Sequence, residues 1–229
     1  MNRSHINALL QEGAAFIAQF GFVLPPFAFW SPQEFATQNH SLLVARGMGW
    51  DITDYGQGRF DEMGLFLFTT RNGPLADAKR GAGMVYAEKI MISRRDQLSP
   101  MHRHIMKTED IINRGGARLV LQLFAAAPDG SIDRDAPVHV PVDGQMRTLA
   151  AGGHLALRPG ESVTLMPSVW HAFWGDGGDV LIGEVSSVND DHADNIFEQP
   201  IGRFAQVTED TAPLHLLVSD YGRFLSPNP

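Results

Sequence analysis

From Leu65 onward the chain is written in short apolar runs separated by Gly, Pro and Asp, and this spacing restricts its fold more than any other feature. Residues 65–73 (LFLFTTRNG) read as a strand entering a turn, residues 84–93 as the next strand, and residues 117–126 (ARLVLQLFAA) as another. Residues 138–149 form a hairpin around Asp143-Gly144, and residues 154–167 a second around Pro159-Gly160. Residues 170–187 (WHAFWGDGGDVLIGEVSS) read as a third, turning through Gly175 to Gly178, and residues 214–221 as a last strand. Closely spaced strands with such turns predict an all-β-dominated protein, an antiparallel sandwich or barrel.

The first 62 residues have a different character. Ser4 is placed to cap a helix with apolar residues at Ile6, Leu9, Leu10, Gly13, Phe16, Ile17 and Phe20, ending at Gly21. After the linker LPPFAFW, Ser31-Pro32-Gln33-Glu34 is a capping box with Pro at the first helical position, predicting a helix to about Arg46. The Gly- and Asp-rich GMGWDITDYGQGRF then predicts irregular structure. One domain is expected over residues 1–229: a helical extension (1–62), a β-barrel core (63–188) and a C-terminal loop and strand (189–229). The helices would pack outside the barrel and offer a homodimer contact.

Residues 100–116 (PMHRHIMKTEDIINRGG) carry the chemistry. His102 and His104 are two apart, so on a strand they share a face, and Glu109 on the neighbouring strand would close a third corner. His171 supplies a fourth candidate ligand. Three imidazoles and one carboxylate suit Mn, Fe, Co, Ni or Zn, and suit Ca or Mg poorly. An isolated His-x-His among nine histidines is as readily a surface or core pair; Glu109, Gly116 and His171 together favour the metal centre. With four protein ligands, such an ion keeps positions open for water or for two vicinal substrate oxygens.

Other residues have two readings. In the strand 84–93, Lys89 shares a face with Ala87 and Met91, while Glu88 shares the opposite face with Tyr86 and Ile90. Either could point inward, and an exposed lysine with a buried stem is the commoner arrangement. Glu184 shares a face with Val180, Ile182 and Ser186; if that face is inward, the acid needs a metal, a lysine or a substrate beside it. Trp170, Phe173 and Trp174 could stack on a ring or fill the core. The run Asn189-Asp190-Asp191-His192-Ala193-Asp194-Asn195 reads as a solvated loop rather than a second metal cluster, and His5, His40, His139, His154 and His215 as structural or surface residues.

Bulk properties exclude several classes. A net charge of −8 without a Lys/Arg run argues against nucleic acid and anionic membranes. The lack of cysteine removes disulfides, thiol nucleophiles and Cys-type zinc sites. No long apolar run marks a leader or a membrane span, so a cytoplasmic protein is expected.

These residues also carry a family resemblance. His102-x-His104-x4-Glu109-x6-Gly116 resembles the first cupin motif, and Pro159-Gly160, Pro167 and His171 resemble the second. Asp96 stands where the first motif has Gly, Ser168 where the second has Gly, and Gly175 where it has Asn. The phrases YAEKIM (86–91), MKTEDIINRGG (106–116), GEVSSVNDD (183–191), LPPFAFWSP (24–32) and GWDITDYG (49–56) are similar to the bacterial D-lyxose isomerases. That resemblance runs from the first helix to Phe204. It implies a cupin-type barrel (jelly roll) and an isomerase acting on monosaccharides, D-lyxose to D-xylulose and D-mannose to D-fructose. The implied cofactor is Mn(II), with Co, Ni, Fe or Zn as substitutes. It favours Lys89 over Glu88 as the inward residue. The roles implied are Glu184 as base, Lys89 as its acid partner, and Asp194, Arg203 and Trp174 as sugar contacts. The ligand set alone also fits a non-haem iron dioxygenase or a non-catalytic sugar-binding cupin.

Overall fold

A computed structural model describes residues 1–191 and 193–225. Helix α1 (Arg3–Gln19) buries Ile6, Leu9, Leu10, Gly13 and Ile17, the stripe that its apolar spacing predicts. Its N-cap is Asn2 rather than Ser4. Ser4 is engaged elsewhere: its hydroxyl and amide both donate to the Asp210 carboxylate, at 2.6 and 2.9 Å. Beside it, the fully buried Arg3 guanidinium donates to Glu209 (2.9 and 2.8 Å) and Asp220 (2.9 and 2.7 Å).

The Ser31–Glu34 capping box forms, but helix α2 (Pro32–Thr37) ends well before Arg46. Gln38 is extended, and the chain restarts as α3 (Ser41–Ala45). Polar side chains at the break engage one another and the backbone locally: Ser41 Oγ donates to Asn39 Oδ1 at 2.9 Å, and the buried His40 ring nitrogen sits 2.9 Å from the Gln38 carbonyl oxygen. Where composition predicts irregular structure, β1 (Gly49–Thr53) is a fully buried strand, so residues 1–62 contribute to the sheet as well as the helices. Its Trp50 and Ile52 pack under α1.

β2 (Leu65–Asn72) and β3 (Tyr86–Ser93) match the expected strands, with a short helix α4 (Leu75–Arg80) between them that no periodicity announces. Then follow β4 (Ser99–His104), β5 (Glu109–Ala126), β6 (Ile132–Asp133), β7 (Val138–Val142), β8 (Gln145–Leu149), β9 (Gly153–Leu157), β10 (Ser162–Leu165), β11 (Val169–Ser187) and β12 (Asn195–Phe197). All pairings among these strands are antiparallel, in the order β1-β2-β3-β11-β5-β10-β7-β8, with β4 laid on β11 and β12 on β4.

The frame of this barrel is the pair β5 and β11, which run side by side from Val169↔Ala125 to Ser186↔Glu109. Residues 170–187 therefore form no hairpin: Gly175 to Gly178 lie within one strand, where a register shift between Asp176 and Val180 bends it. Opposite that bend is Gly116, at φ +91, where a Cβ would strike the Asp179 carbonyl oxygen. The glycine of the first motif is thus the corner of the barrel. Nor do β9 and β10 pair with each other; both lie along β5, and Pro159-Gly160 is the corner between them. At Asp143 (φ 48) and Gly144 (φ 77) the expected hairpin turn does form. Asp96, standing in for a motif glycine, adopts φ 58, so the left-handed backbone persists on one of the residues that tolerate it.

Residues 214–221 do not form a strand. A lone bridge joins Leu217 to Trp50, then a 3-10 turn over Val218–Asp220 leads into α5 (Tyr221–Phe224). Asp220 drives the turn by accepting the Leu217 amide at 2.9 Å while it binds Arg3.

Two apolar layers result. Leu67, Met91, Ile111, Leu121, Val140 and Ile182 fill the barrel, while Phe66, Phe68 and Ile90 face outward against Ile6, Leu10 and Ile17 of α1. Burial on both faces explains why β2 is a continuous apolar run. Each such side chain contributes about 2 kcal/mol on leaving water. No helix among the described residues is long and apolar enough to cross a membrane.

Replacing Gly116 by Ala is expected to lower the unfolding free energy by at least about 2 kcal/mol, measured by urea titration, because it forces a strained φ at the corner of the paired strands.

Candidate active site

The strand registers bring the sequence candidates to one end of the barrel. His171 pairs directly with His102 across β11 and β4, and Glu184 pairs with Lys89 across β11 and β3. Glu109 opposite Ser186 opens β5. Because β4 lies on β11 and not on β5, Glu109 is on a strand that neighbours the strand of His171 but not the strand of His102 and His104. The hollow holds about 440 Å3 of free space, part of it open to solvent. His102, His104, Glu109, Lys107, Lys89 and Glu184 line it, together with Asp191, Arg203, Tyr55, Phe173 and Phe197.

The ligand-bearing nitrogens of His102, His104 and His171 lie within 4.8 Å of one another. Each Nδ1 faces a backbone carbonyl oxygen: Pro100 at 2.8 Å, Asp194 at 3.2 Å and Val169 at 3.2 Å. That orientation leaves each Nε2 free to ligate, with His102 and His104 lining the hollow and His171 buried beside them. Glu109 Oε1 lies 3.3 Å from His104 Nε2 and 3.1 Å from His171 Nε2. Both Nε2 atoms are buried without a hydrogen-bonded partner among the described residues. Burial, reinforced by the neighbouring imidazoles, holds the His102 pKa well below the ordinary value, and burial with Lys107 lowers His104. Buried imidazoles whose ligating nitrogens converge beside a carboxylate fit a divalent transition ion.

Behind Glu109 stands a residue that pattern reading does not single out. Lys107, fully buried in the turn between β4 and β5, donates to Glu109 Oε2 at 2.7 Å and to Glu184 Oε1 at 2.9 Å. Lys89 Nζ is 3.5 Å from the same Glu184 oxygen and donates to Asn189 Oδ1 at 2.7 Å. Burial raises the Glu184 pKa, but Lys107 and Lys89 outweigh it and hold the carboxyl below its ordinary value. The phrase MKTEDI contains Lys107, yet a turn residue has no face to read, so only its place between His104 and Glu109 marks it.

Across the hollow, Arg203 bridges Asp191 (3.1 Å) and Asp51 (2.8 Å). Its guanidinium holds Asp191 far below the usual carboxylate range against the effect of burial, while Asp51 is raised by burial. Asp51 belongs to the strand that composition hides. Glu88 points outward, to Thr70 and Arg71.

Two expected sugar contacts lie elsewhere. Alternation along β11 turns Phe173 inward and Trp174 outward, edge-on to His154 at 5.3 Å. Trp170 packs behind the site against Met101 and Phe124. Asp194 accepts the backbone N–H groups of Ile105, Met106 and Lys107 at 2.9, 2.7 and 3.0 Å, so its carboxylate shapes the turn carrying His104 and Lys107. The segment expected as a solvated loop is therefore built into the site wall, with His192 outside the described residues.

Fold and site define a cupin with a candidate metal centre at the mouth of its barrel. The chain belongs to the D-lyxose isomerase family, whose model matches residues 1–221. It is 46% identical over 231 residues to D-lyxose/D-mannose isomerase of Serratia proteamaculans, covering 99% of this chain and 100% of that protein. It is 42% identical over 231 residues to the protein of the same name from Escherichia coli O157:H7, covering 98% and 100%. Among solved structures, L-ribose isomerase of Acinetobacter sp. DL28 in complex with L-ribose superposes with a TM-score of 0.62 at 14% identity, covering 91% of this chain and 98% of that one. Cellulomonas parahominis L-ribose isomerase with L-psicose gives 0.61 at 15% identity over the same shares. These two establish the shared fold. Family membership makes the chain an aldose–ketose isomerase and decides against the dioxygenase and non-catalytic readings.

Glu109→Gln is expected to lose bound divalent metal, read by elemental analysis after dialysis, with the strand content retained in circular dichroism. In the metal-free protein, His102 and His104 titrate lower folded than unfolded. The unfolded chain thus takes up more protons once pH drops below about 6.5, and stability falls on acidification from there. Urea midpoints measured between pH 7.5 and 5 should show that slope, and His102→Asn should reduce it.

Proposed function

We propose that the chain interconverts D-lyxose with D-xylulose and D-mannose with D-fructose by proton transfer through a cis-enediol. Glu184 would carry the proton. One observation supports this above the others: a buried carboxyl held below its ordinary pKa, with two ammonium groups on it, faces the same hollow as His102 and His104, on which His171 converges.

His102, His104, Glu109 and His171 would hold a divalent ion, Mn(II) first and Co, Ni, Fe or Zn as substitutes. When bound it supplies Lewis-acid stabilisation of the negative charge that develops as the carbonyl moves between C1 and C2. The protein's own groups do the rest. Glu184, kept ionised by Lys107 and Lys89, removes the proton from C2, exchanges it with solvent, and then protonates C1. Lys89 holds or protonates a substrate oxygen. Lys107 fixes Glu184 relative to Glu109, so the base stays registered to the ligand set. Arg203 and Asp191 line the hollow and would hydrogen-bond sugar hydroxyls, with Tyr55 and Phe197 as apolar wall. Lyxose and mannose share configuration at C2, C3 and C4, so one pocket takes both if C6 is not crowded. The same reading takes the enzyme as a cytoplasmic homodimer, and exposed Phe20, Val23 and Phe29 around the end of α1 support a contact there with a second copy.

Glu184→Gln should reduce ketose formation from D-lyxose or D-mannose by at least about a hundredfold while metal content stays near normal. Wild-type turnover in deuterium oxide should place solvent label at C1 of the ketose. Label-free product would replace proton transfer with a hydride shift, and an active Glu184→Gln would remove Glu184 as base.

A further inference from the structure

Asn72 lies outside the catalytic hollow, at the end of β2, yet it is 5% exposed and every polar atom of its side chain is committed. Its Nδ2 donates to the Arg46 carbonyl oxygen at 3.0 Å and to the Asn189 carbonyl oxygen at 2.9 Å, while its Oδ1 accepts the Asn189 amide at 3.0 Å. Asn189 is therefore gripped by its backbone in both directions, as one strand grips another. Its side chain points the other way, where Oδ1 receives Lys89 Nζ at 2.7 Å and the amide also hydrogen-bonds the Asp191 carboxylate. That bond is the shortest polar contact of the Lys89 ammonium, which lies 3.5 Å from Glu184 and 3.9 Å from Asp191. Asn72 and Asn189 line a second cleft, with Arg46, Pro74 and Val218, and neither lines the catalytic hollow. The pair stands in the wall between the two cavities.

We propose that Asn72 and Asn189 are a two-residue relay that positions Lys89. Asn72 fixes the Asn189 backbone, and Asn189 in turn holds the ammonium at a set distance from Glu184. Both are positioning residues; neither touches substrate. A lysine carries long side-chain freedom, and a neutral acceptor anchors it without adding a charge beside the base. Without the anchor, Lys89 would divide its contacts between Glu184 and Asp191, the two carboxylates it already approaches. This inference rests on the reading of Lys89 as the partner of Glu184.

The test is a set of variants of the manganese-loaded enzyme turning over D-lyxose: Asn72→Ala, Asn189→Ala, their double variant, and Lys89→Met. Each single Asn variant should lower kcat by about tenfold, with KM and metal content within about twofold of wild type. The double variant should be no worse than either single one, since both cut the same relay. Asn189→Ala removes the acceptor of Lys89 together with the side-chain hydrogen bond to Asp191 but keeps the backbone bonds to Asn72, so its urea midpoint should lie above that of Asn72→Ala. Multiplying effects in the double variant, or wild-type kcat in Asn189→Ala, would overturn the relay while leaving an inactive Lys89→Met as evidence for the lysine. A Lys89→Met enzyme with wild-type kcat would instead remove Lys89 from the mechanism, and the relay with it.

Discussion

Lys107 sits between Glu109 and Glu184, 2.7 Å from one and 2.9 Å from the other, and the organisation of the site follows from that contact. Two buried carboxylates facing one hollow would repel, and one would take up a proton unless a cation lay between them. With the ammonium in place both stay ionised: Glu109 is held well below its ordinary value by Lys107 and the imidazoles against the opposing effect of burial, and Glu184 by Lys107 and Lys89. One carboxylate is then available as a ligand and the other as a base. Among the described residues of this end of the barrel, Lys89, Lys107 and Arg203 face Glu109, Glu184, Asp191 and Asp51. Asp194 lies beside His104 as well, so carboxylates outnumber the ammonium and guanidinium groups at this end of the barrel, a cavity suited to receive a cation.

Much of this was legible in the residues because strand alternation is a strong constraint. His102 and His104 follow from a two-residue period and Glu109 from its spacing behind them, while the inward face of Glu184 also needed the family phrase. Gly116 and the turn at Asp143-Gly144 follow from backbone conformations open to few residues. Choosing Lys89 over Glu88 needed the family phrase, since the two faces of β3 are equally apolar; the second apolar face packs on its neighbours rather than on solvent.

What pattern reading missed shares a cause: partners distant in the chain. Asp51 looks like loop composition until Arg203 is placed beside it. Ser4 looks like a cap until Asp210 claims its hydroxyl. The bend at Gly175 to Gly178 looks like a hairpin, because only the partner strand β5 shows that β11 continues through it. Trp174 and Asp194 are expected as sugar contacts from the family resemblance, and each turns on a geometry that motif phrases do not carry: the parity of β11 and a clamp on three consecutive amides.

The contacts that knit the mouth have a further consequence for how the molecule comes together. Lys107 and Glu184 are 77 residues apart, His104 and the Asp194 carbonyl 90, and Lys89 and Asn189 100. Each closes a long loop before it returns any contact energy, which gives the site a high contact order and places it late among the events of folding. On a growing polypeptide, the paired histidines of β4 emerge well ahead of the strands that orient them. The groups that ligate and the groups that hold them in place therefore come from distant parts of the chain, and the site exists only once the barrel has closed.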